Sequence, residues 1–402
     1  MPNSSESFTS KGSHSVESML QERVFVSDGL VFLSGLSAAD IDGGIPAAAA
    51  VSPEFPYYGA DIQKQTTYVL EKLSRLLAEQ DCRLEDVVKT QVFLTDCRHF
   101  DAFDQVWKKF FPVPPPRTTV GVGAEAMHVP GALVAVDAIA AVPSLVEIRA
   151  IDSPRLPKPL ANYTPCVGAG DWLFLAGQLP TEFGTTGLAP GAQVNPHFPH
   201  HVSPLVAQAN FTIGICQTLL EDAGSDWDHT VRVHVFLKNL ADVPLFEALW
   251  NASFDGAAPP YLVLGVDELL TGGALIEIDV IAVRAGTPKH GVDTGAAAPA
   301  GMRISAAGLS ATTIAVAQAA FDSEDYRPFA IQQTVRAAFT AAQEHVGAQA
   351  RPLKVHAFLP HPTDVFAFGR GLPEEVADTA AITTSPSVGA SGISLEIIYR
   401  AD

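Results

Sequence analysis

The sequence predicts an α+β fold that is repeated three times along the chain. The segment VFLSGLS at 31–37 returns as LFLAGQL at 173–179 and as ISAAGLS at 304–310. A longer segment, VVKTQVFLTDCRHFDAF at 87–103, returns at 230–246 and at 352–368. The anchor residues recur in the same order, as Gly35, Gly177 and Gly308 and then as Phe93, Phe236 and Phe358. Because so much sequence separates the repeats, each copy is a whole small domain rather than one turn of a solenoid.

Each copy contains the pattern of two helices and several strands. Apolar residues at helical spacing predict a helix over 61–80, with Asp61 as its N-cap and with counterparts at 204–222 and 329–346. A second amphipathic helix is predicted over 101–111. The alternating segment VVKTQVFLTD is typical of a strand, whereas RTTVGV and ALVAVDAIAAV predict a closing strand pair. The order of these elements predicts a mixed β-sheet with helices on one face.

The repeats and the composition of the joins predict the domain boundaries. A Gly-, Ala- and Pro-rich segment is typical of a linker before the third copy. We expect a disordered tail at 1–18, domain 1 at 19–145, domain 2 at 146–284, a linker at 285–299 and a degenerate domain 3 at 300–402.

Composition and charge exclude several classes of protein. Hydrophobic residues make up 47% of the chain and charged residues 17%, as in soluble globular proteins. The net charge of −19 argues against nucleic acid or an anionic membrane as a partner, because its field repels phosphate. The N-terminal region lacks the apolar segment of a signal peptide, and no apolar stretch is long enough to span a membrane. We therefore expect a cytoplasmic protein.

The sequence shows no pattern that calls for a cofactor or a metal. The four cysteines have neither disulfide-framework nor zinc-site spacing, and no nucleotide-binding glycine motif occurs. His197, His200 and His201 lie close together, but the intervening prolines break any helix that would align them as ligands. A solvated loop is the favoured interpretation, with a metal site or a cleft histidine as alternatives. We expect no cofactor and no metal.

Four segments together carry a family resemblance. The glycine-containing strand, the DVVKTQVFLTD strand, the helix ending in two phenylalanines, and PPPRTTVGV followed by GALVAVDAIA resemble the RidA (YjgF) reactive-intermediate deaminase family. Copy one matches the family pattern throughout, copy two matches it well, and copy three has only a degenerate version of it. The resemblance implies three chorismate-mutase-like domains arranged as a single-chain pseudo-trimer, with clefts between copies. It also implies hydrolysis of imine or enamine intermediates to a keto acid and ammonia.

We expect the chain to be a monomer, or a dimer through its outer surfaces.

The resemblance assigns roles to an arginine and a glutamate. Arg117 lies where the family has the arginine that binds the substrate carboxylate, a task that suits a planar guanidinium with parallel N–H donors. Tyr261 and Ser385 are aligned with it in copies two and three. The family's water-activating glutamate corresponds to Ala135, Glu277 and Glu396 in the three copies, and Asp137 lies two residues beyond Ala135.

Arginine and glutamate therefore come from different copies. Either Asp137 is the general base beside Arg117, or Glu277 reaches the Arg117 cleft across an interface; both alternatives stay open at this point.

Five further residues are candidates for substrate binding. Ser34 and Gly35 match the family's serine-glycine pair, although a packing role for them is equally compatible with the sequence. Tyr163 matches the tyrosine at the mouth of the family's cleft. Thr119 and Gly177 complete the set.

Two functional classes are compatible with these residues. The first is a RidA-like hydrolase acting on an imine, an enamine or a related unsaturated small carboxylic acid in a specialised pathway. The alternative is a non-catalytic protein that binds a carboxylate metabolite as a sensor or scavenger.

Overall fold

Copy one forms a mixed sheet backed by two helices. The computed structural model describes residues 21–39, 44–158, 163–182, 187–256, 258–292, 301–320 and 326–401, so the predicted tail at 1–18 lies outside the described residues. The helices of copy one are α1 (Asp61–Ala78) and α2 (Phe100–Phe110). Its strands are β1 (Val24–Ser27), β2 (Leu30–Leu33), β3 (Leu36–Ser37), β4 (Val87–Leu94), β5 (Arg117–Gly121) and β6 (Val134–Ala141).

Copies two and three repeat this arrangement. Copy two contains β7 (Ile148–Ile151), β8 (Cys166–Ala169), β9 (Trp172–Leu175), α3 (Pro204–Asp222), β10 (Thr230–Leu237), α4 (Val243–Ala252), β11 (Tyr261–Gly265), β12 (Glu268–Leu269) and β13 (Ile276–Val283). Copy three contains β14 (Lys289–Val292), β15 (Met302–Leu309), β16 (Thr312–Ala320), α5 (Arg327–Val346), β17 (Arg351–Leu359), α6 (Asp364–Gly371), α7 (Glu374–Thr379), β18 (Ala381–Pro386) and β19 (Gly392–Arg400). Strand β14 lies inside the segment predicted as a linker and pairs with β15.

The three sheets share the order of five central strands, and with their helices they confirm the predicted α+β class. The strand orders are β1-β2-β6-β4-β5-β12, then β11-β10-β13-β9-β8-β7, and β14-β15-β16-β19-β17-β18. The predicted pairing of β5 with β6 is wrong, because β4 lies between them, parallel to β5 and antiparallel to β6. The helix α2 connects β4 to β5, so the two strands run in the same direction and lie side by side.

Apolar residues on the two faces of each sheet form separate cores. One inner core collects residues of all three copies, including Phe32, Phe174 and Ile314. Three outer cores, one in each copy, lie between a sheet and its helices. This is the arrangement of a single-chain pseudo-trimer, in which sheets face inward and helices face outward. Strand β12 of copy two also joins the edge of the copy-one sheet by pairing with β5.

Two local predictions need correction. Asp61 is the first residue of α1, and Ala60 is its N-cap; the Asp61 carboxylate instead accepts a hydrogen bond from the backbone N–H of Val51 at 2.7 Å. Gly308 is not the counterpart of Gly177, because it lies in the preceding strand β15. Strand pairing instead matches Ala317 of β16 with Gln178, since Ala317 faces Leu395 just as Gln178 faces Ile278, so Gly177 has no direct counterpart in β16. The sequence of copy three has diverged, and a similar motif in the preceding strand was therefore aligned in place of the correct one.

Hydrogen-bond register also corrects the alignment of copy three at the candidate site. Thr90 faces Arg117 in copy one, and Val355, its counterpart, faces Ile382; Ile382 therefore occupies the arginine position rather than Ser385. Likewise Phe236 faces Glu277, whereas Phe358 faces Ser394. Ser394 therefore occupies the glutamate position of copy three.

Glu396 consequently has a different counterpart from the one that the sequence alignment indicated. It faces His356, just as Asp279 faces His234 and Asp137 faces Gln91. Glu396 is thus the copy-three equivalent of Asp137 and Asp279.

Candidate functional site

Each of three clefts is formed where one copy's parallel edge strand meets the next copy's sheet. The first cleft joins β5 of copy one to β9 and β13 of copy two. The second joins β11 of copy two to β16 and β19 of copy three, and the third joins β18 of copy three to β2 and β6 of copy one. In the first cleft the copies are in direct contact, because the backbone N–H of Gly177 donates to the carbonyl of Arg117 at 3.2 Å.

Arg117 is held at the first cleft by a carboxylate and by aromatic rings. Its guanidinium is buried, and Nη1 donates to Oδ1 of Asp104 at 2.9 Å. The rings of Phe100, Phe103 and Trp107 lie 5.1–5.5 Å from the guanidinium carbon. Burial lowers the pKa of Arg117, and Asp104 opposes that shift. Stacking and ion pairing fix the plane of the guanidinium before any ligand arrives.

Asp104 is shared between two cations, so it does not neutralise the cluster around Arg117. Lys108 also contacts this carboxylate, at 2.6 Å. The cluster of Arg117, Lys108 and Asp104 therefore carries one net positive charge. Such a charge can compensate the carboxylate of a bound ligand. The sequence analysis did not identify Asp104. The available signal was an acidic residue on the buried face of the helix predicted over 101–111.

Glu277 lies across the first cleft, in surroundings that favour its protonated form. The residue is 2% exposed, and its carboxyl packs against Gly177, where an added Cβ would collide with Oε1. Burial and, to a smaller extent, Asp279 raise the pKa of Glu277 to about 8, although Lys89 and the backbone N–H of Thr119 oppose this shift. Within the described part of the chain, Oε2 of Glu277 is buried without a hydrogen-bond partner.

Thr119 and Tyr163 complete the set of residues at the first cleft. Among the described residues, Oγ1 of Thr119 has no hydrogen-bond partner although it is buried. Burial and the nearby Glu277 raise the pKa of Tyr163, and Arg117 opposes that shift. Arg117 and Glu277 act on each other's ionisation and both act on that of Tyr163, so the three share one electrostatic environment. Tyr163 also lines a small cavity of about 50 Å³.

The other three candidates lie at the third cleft. Asp137 Oδ1 accepts hydrogen bonds from Lys354 at 2.6 Å and from Thr383 at 2.9 Å. Gly35 is in close contact with Thr383, since an added Cβ would lie 2.6 Å from its Cγ2. Ser34 is buried, and its hydroxyl accepts from the backbone N–H of Arg23 at 3.0 Å. The structure therefore brings Arg117, Thr119, Tyr163, Gly177 and Glu277 together and places Ser34, Gly35 and Asp137 elsewhere.

A ring of buried ion pairs links the three copies around the inner core. Each basic residue pairs with an acid of the next copy: Lys89 with Asp279 at 2.7 Å, Arg232 with Glu396 at 2.9 Å, and Lys354 with Asp137 at 2.6 Å.

The sequence did carry a signal for this ring. A basic residue occurs four positions before each of Phe93, Phe236 and Phe358, inside an otherwise apolar strand. A charge in such a position requires a buried partner.

Substitutions in the other two clefts remove the arginine-glutamate combination. The second cleft has Tyr261 and Ser394 at the positions of Arg117 and Glu277. The third cleft has Ile382 and Ala135 at these positions. In the described part of the chain, the first cleft alone therefore retains both the arginine and the glutamate.

The remaining sequence signals give no further site. His197, His200 and His201 are exposed on a loop. Across the described ranges, no three His, Cys, Asp or Glu side chains form a group that could hold a metal ion. No described helix is both long enough and apolar enough to cross a membrane.

A family model decides the relationship of this chain to known proteins. The model described as Endoribonuclease L-PSP matches residues 21–142 and 154–284, which together exceed half of the chain. The chain belongs to this family. The matched regions contain Arg117, Thr119, Tyr163, Gly177 and Glu277.

Curated relatives and solved structures each match about a third of the chain. Protein DfrA of Myxococcus xanthus is 31% identical over 34% of this chain and 95% of its own length. A 2-iminobutanoate/2-iminopropanoate deaminase of Dermatophagoides farinae is 25% identical over 34% of this chain and 95% of its own length. The crystal structure of RidA from the Antarctic bacterium Psychrobacter sp. is 22% identical, covers 34% of this chain and 98% of its own, and has a TM-score of 0.28.

Proposed function

We propose that this chain hydrolyses a small imine or enamine carboxylate at the first cleft, releasing ammonia and a keto acid. The observation that carries the proposal is the convergence of Arg117 from copy one and Glu277 from copy two. Together they offer a cation for a carboxylate and a proton donor for the reacting carbon–nitrogen group. Kinship with a relative named as an imine deaminase supports the same reaction class.

The proposed chemistry follows from the ionisation of Glu277. The substrate carboxylate binds the guanidinium of Arg117, which orients the C=N group toward Glu277. Protonated Glu277 donates its proton to the imine nitrogen, and the resulting carboxylate accepts a proton as water attacks the carbon. Collapse of the adduct expels ammonia and leaves a C=O bond, so imine plus water gives keto acid plus ammonia. A carboxyl with a pKa of about 8 can serve as acid and then as base near neutral pH.

Ammonia release tests this proposal directly. The chain is mixed with freshly generated 2-iminobutanoate, and ammonia is measured against the spontaneous rate of hydrolysis. The proposal requires acceleration above that rate. A rate equal to the spontaneous one would contradict it and would favour the non-catalytic alternative.

Arg117→Lys is expected to weaken binding of 2-oxobutanoate, the corresponding keto acid, by about 1–3 kcal/mol. Lysine keeps the charge but loses the planar pair of donors and the stacking on the rings. Calorimetric titration measures the change. Arg155→Lys is the matched control, because Arg155 is bonded to Glu221 and Asp222 on the surface. Equal losses in both variants would place the carboxylate site elsewhere.

Binding of 2-oxobutanoate is also expected to weaken as pH rises through about 8. Below that pH Glu277 is neutral and the ligand carboxylate meets the positive Arg117 cluster. Above it Glu277 ionises, so a negative charge faces the anionic ligand. Titrations between pH 6 and pH 9.5 should show this loss in the parent protein and a flat profile in Glu277→Gln. A loss that persists unchanged in Glu277→Gln would assign it to another group.

A further inference from the structure

The third cleft encloses a cavity of about 440 Å³ between copies three and one. Aliphatic and aromatic side chains form half of its lining, including Leu36, Phe93, Met127, Val136, Val365 and Ile382. This volume and this lining are typical of sites that bind small organic molecules.

The cavity exists because two large polar side chains of the first cleft have small or apolar counterparts here. Ile382 occupies the position of Arg117, and Ala135 occupies the position of Glu277. Both residues line the cavity. The exchange enlarges the space and also removes the guanidinium that would bind a carboxylate.

His128 lines the cavity, and one nitrogen of its ring has no partner among the described residues. Its Nδ1 lies 3.2 Å from the carbonyl oxygen of Pro362, which can only accept, so Nδ1 carries the proton. Burial lowers the pKa of His128, although the carbonyls of Pro362 and Thr384 oppose that shift. The neutral ring then has a lone pair on Nε2, which is buried and, among the described residues, has no hydrogen-bond partner.

The other charged groups at the cavity disfavour an anionic ligand. Asp137 lines the cavity, and its Oδ1 is occupied by Lys354 and Thr383. The Asp137–Lys354 pair has no net charge and therefore does not compensate the charge of a ligand carboxylate. At the rim, Lys72 is already engaged by Glu22, at 3.0 Å.

We propose that the third cleft is a second ligand site, which binds an uncharged small molecule with an apolar body and an N–H or O–H donor. The apolar body fills the space left by Ile382 and Ala135, and the donor satisfies His128. This site is separate from the first cleft and does not depend on the reaction proposed there.

Indole and 1-methylindole form a matched pair of probes, because they differ in the N–H donor. By calorimetric titration of the full chain, we expect indole to bind at least about 5-fold more tightly than 1-methylindole, as for one buried hydrogen bond. His128→Phe should remove this preference. Ala135→Leu should abolish binding of both by filling the cavity, whereas Arg117→Lys in the first cleft should leave both affinities unchanged.

Three outcomes would overturn the proposal. They are no saturable binding of indole, equal affinities for the two indoles in the parent protein, and indole binding that survives Ala135→Leu. Because the comparison of the two probes uses the unaltered chain, it stands even if a variant fails to fold.

Discussion

Replacing Glu277 by glutamine is expected to lower the rate of ammonia release by about 10²–10⁴-fold, as for loss of a general acid-base group. Glutamine keeps the size of the side chain and its contact with Gly177 but has no proton to transfer at neutral pH. Binding of 2-oxobutanoate at pH 7 should change little, since protonated Glu277 and glutamine are both neutral. The effect should therefore appear in kcat rather than in ligand affinity.

Asp137→Asn separates the two carboxyls that the sequence left as alternatives. Asp137 is bonded to Lys354 and Thr383 at the third cleft, so its removal should leave the rate per folded molecule unchanged. It should instead lower the midpoint of denaturation, because Lys354 loses its buried partner. A large loss of kcat in Asp137→Asn, with Glu277→Gln fully active, would reverse the assignment.

Asp279→Asn is expected to lower the free energy of unfolding by about 3–5 kcal/mol, the effect of breaking a buried ion pair from one side. Asp279 contacts Lys89 of copy one at 2.7 Å and Arg232 of its own copy at 2.6 Å. Burial raises the pKa of Asp279, but these two cations more than offset that effect and hold the pKa below its usual range. The substitution leaves both cations buried with one partner fewer.

Urea denaturation of the parent and of Asp279→Asn measures this loss. Asp255→Asn is the control, because Asp255 is an exposed acid of the same copy and should leave the midpoint unchanged. If Asp279→Asn unfolds at the same urea concentration as the parent, the ring of ion pairs does not stabilise the association of the copies.

The repeated fold could be predicted from the sequence because the patterns that indicate helices and strands are local. Helical spacing placed α1, α3 and α5 within a few residues of their observed bounds. The recurring phenylalanines aligned the central strands of all three copies. These patterns depend on which face of an element is buried, and a single sequence records that directly.

The third copy and the clefts depend on geometry that a sequence records poorly. Ser385 was aligned with Arg117 through a short motif, whereas hydrogen-bond register places Ile382 there. Nothing local to β6 or β13 indicates that Asp137 faces Lys354 of another copy or that Glu277 packs against Gly177 of its own copy, because both partners lie far away along the chain. The five residues of the first cleft were individually predictable; their common location became evident only with the packing of the copies.

A crystal structure of the chain soaked with 2-oxobutanoate tests most directly whether the keto acid binds in the first cleft and in neither of the other two. We predict one ligand molecule per chain, with its carboxylate on the guanidinium of Arg117 and its keto oxygen facing Glu277 in the first cleft. The second and third clefts should contain no keto acid, because Tyr261 and Ile382 replace the arginine there. Keto acid bound beside Asp137, or in the second cleft, with Arg117 still bonded only to Asp104, would contradict the account.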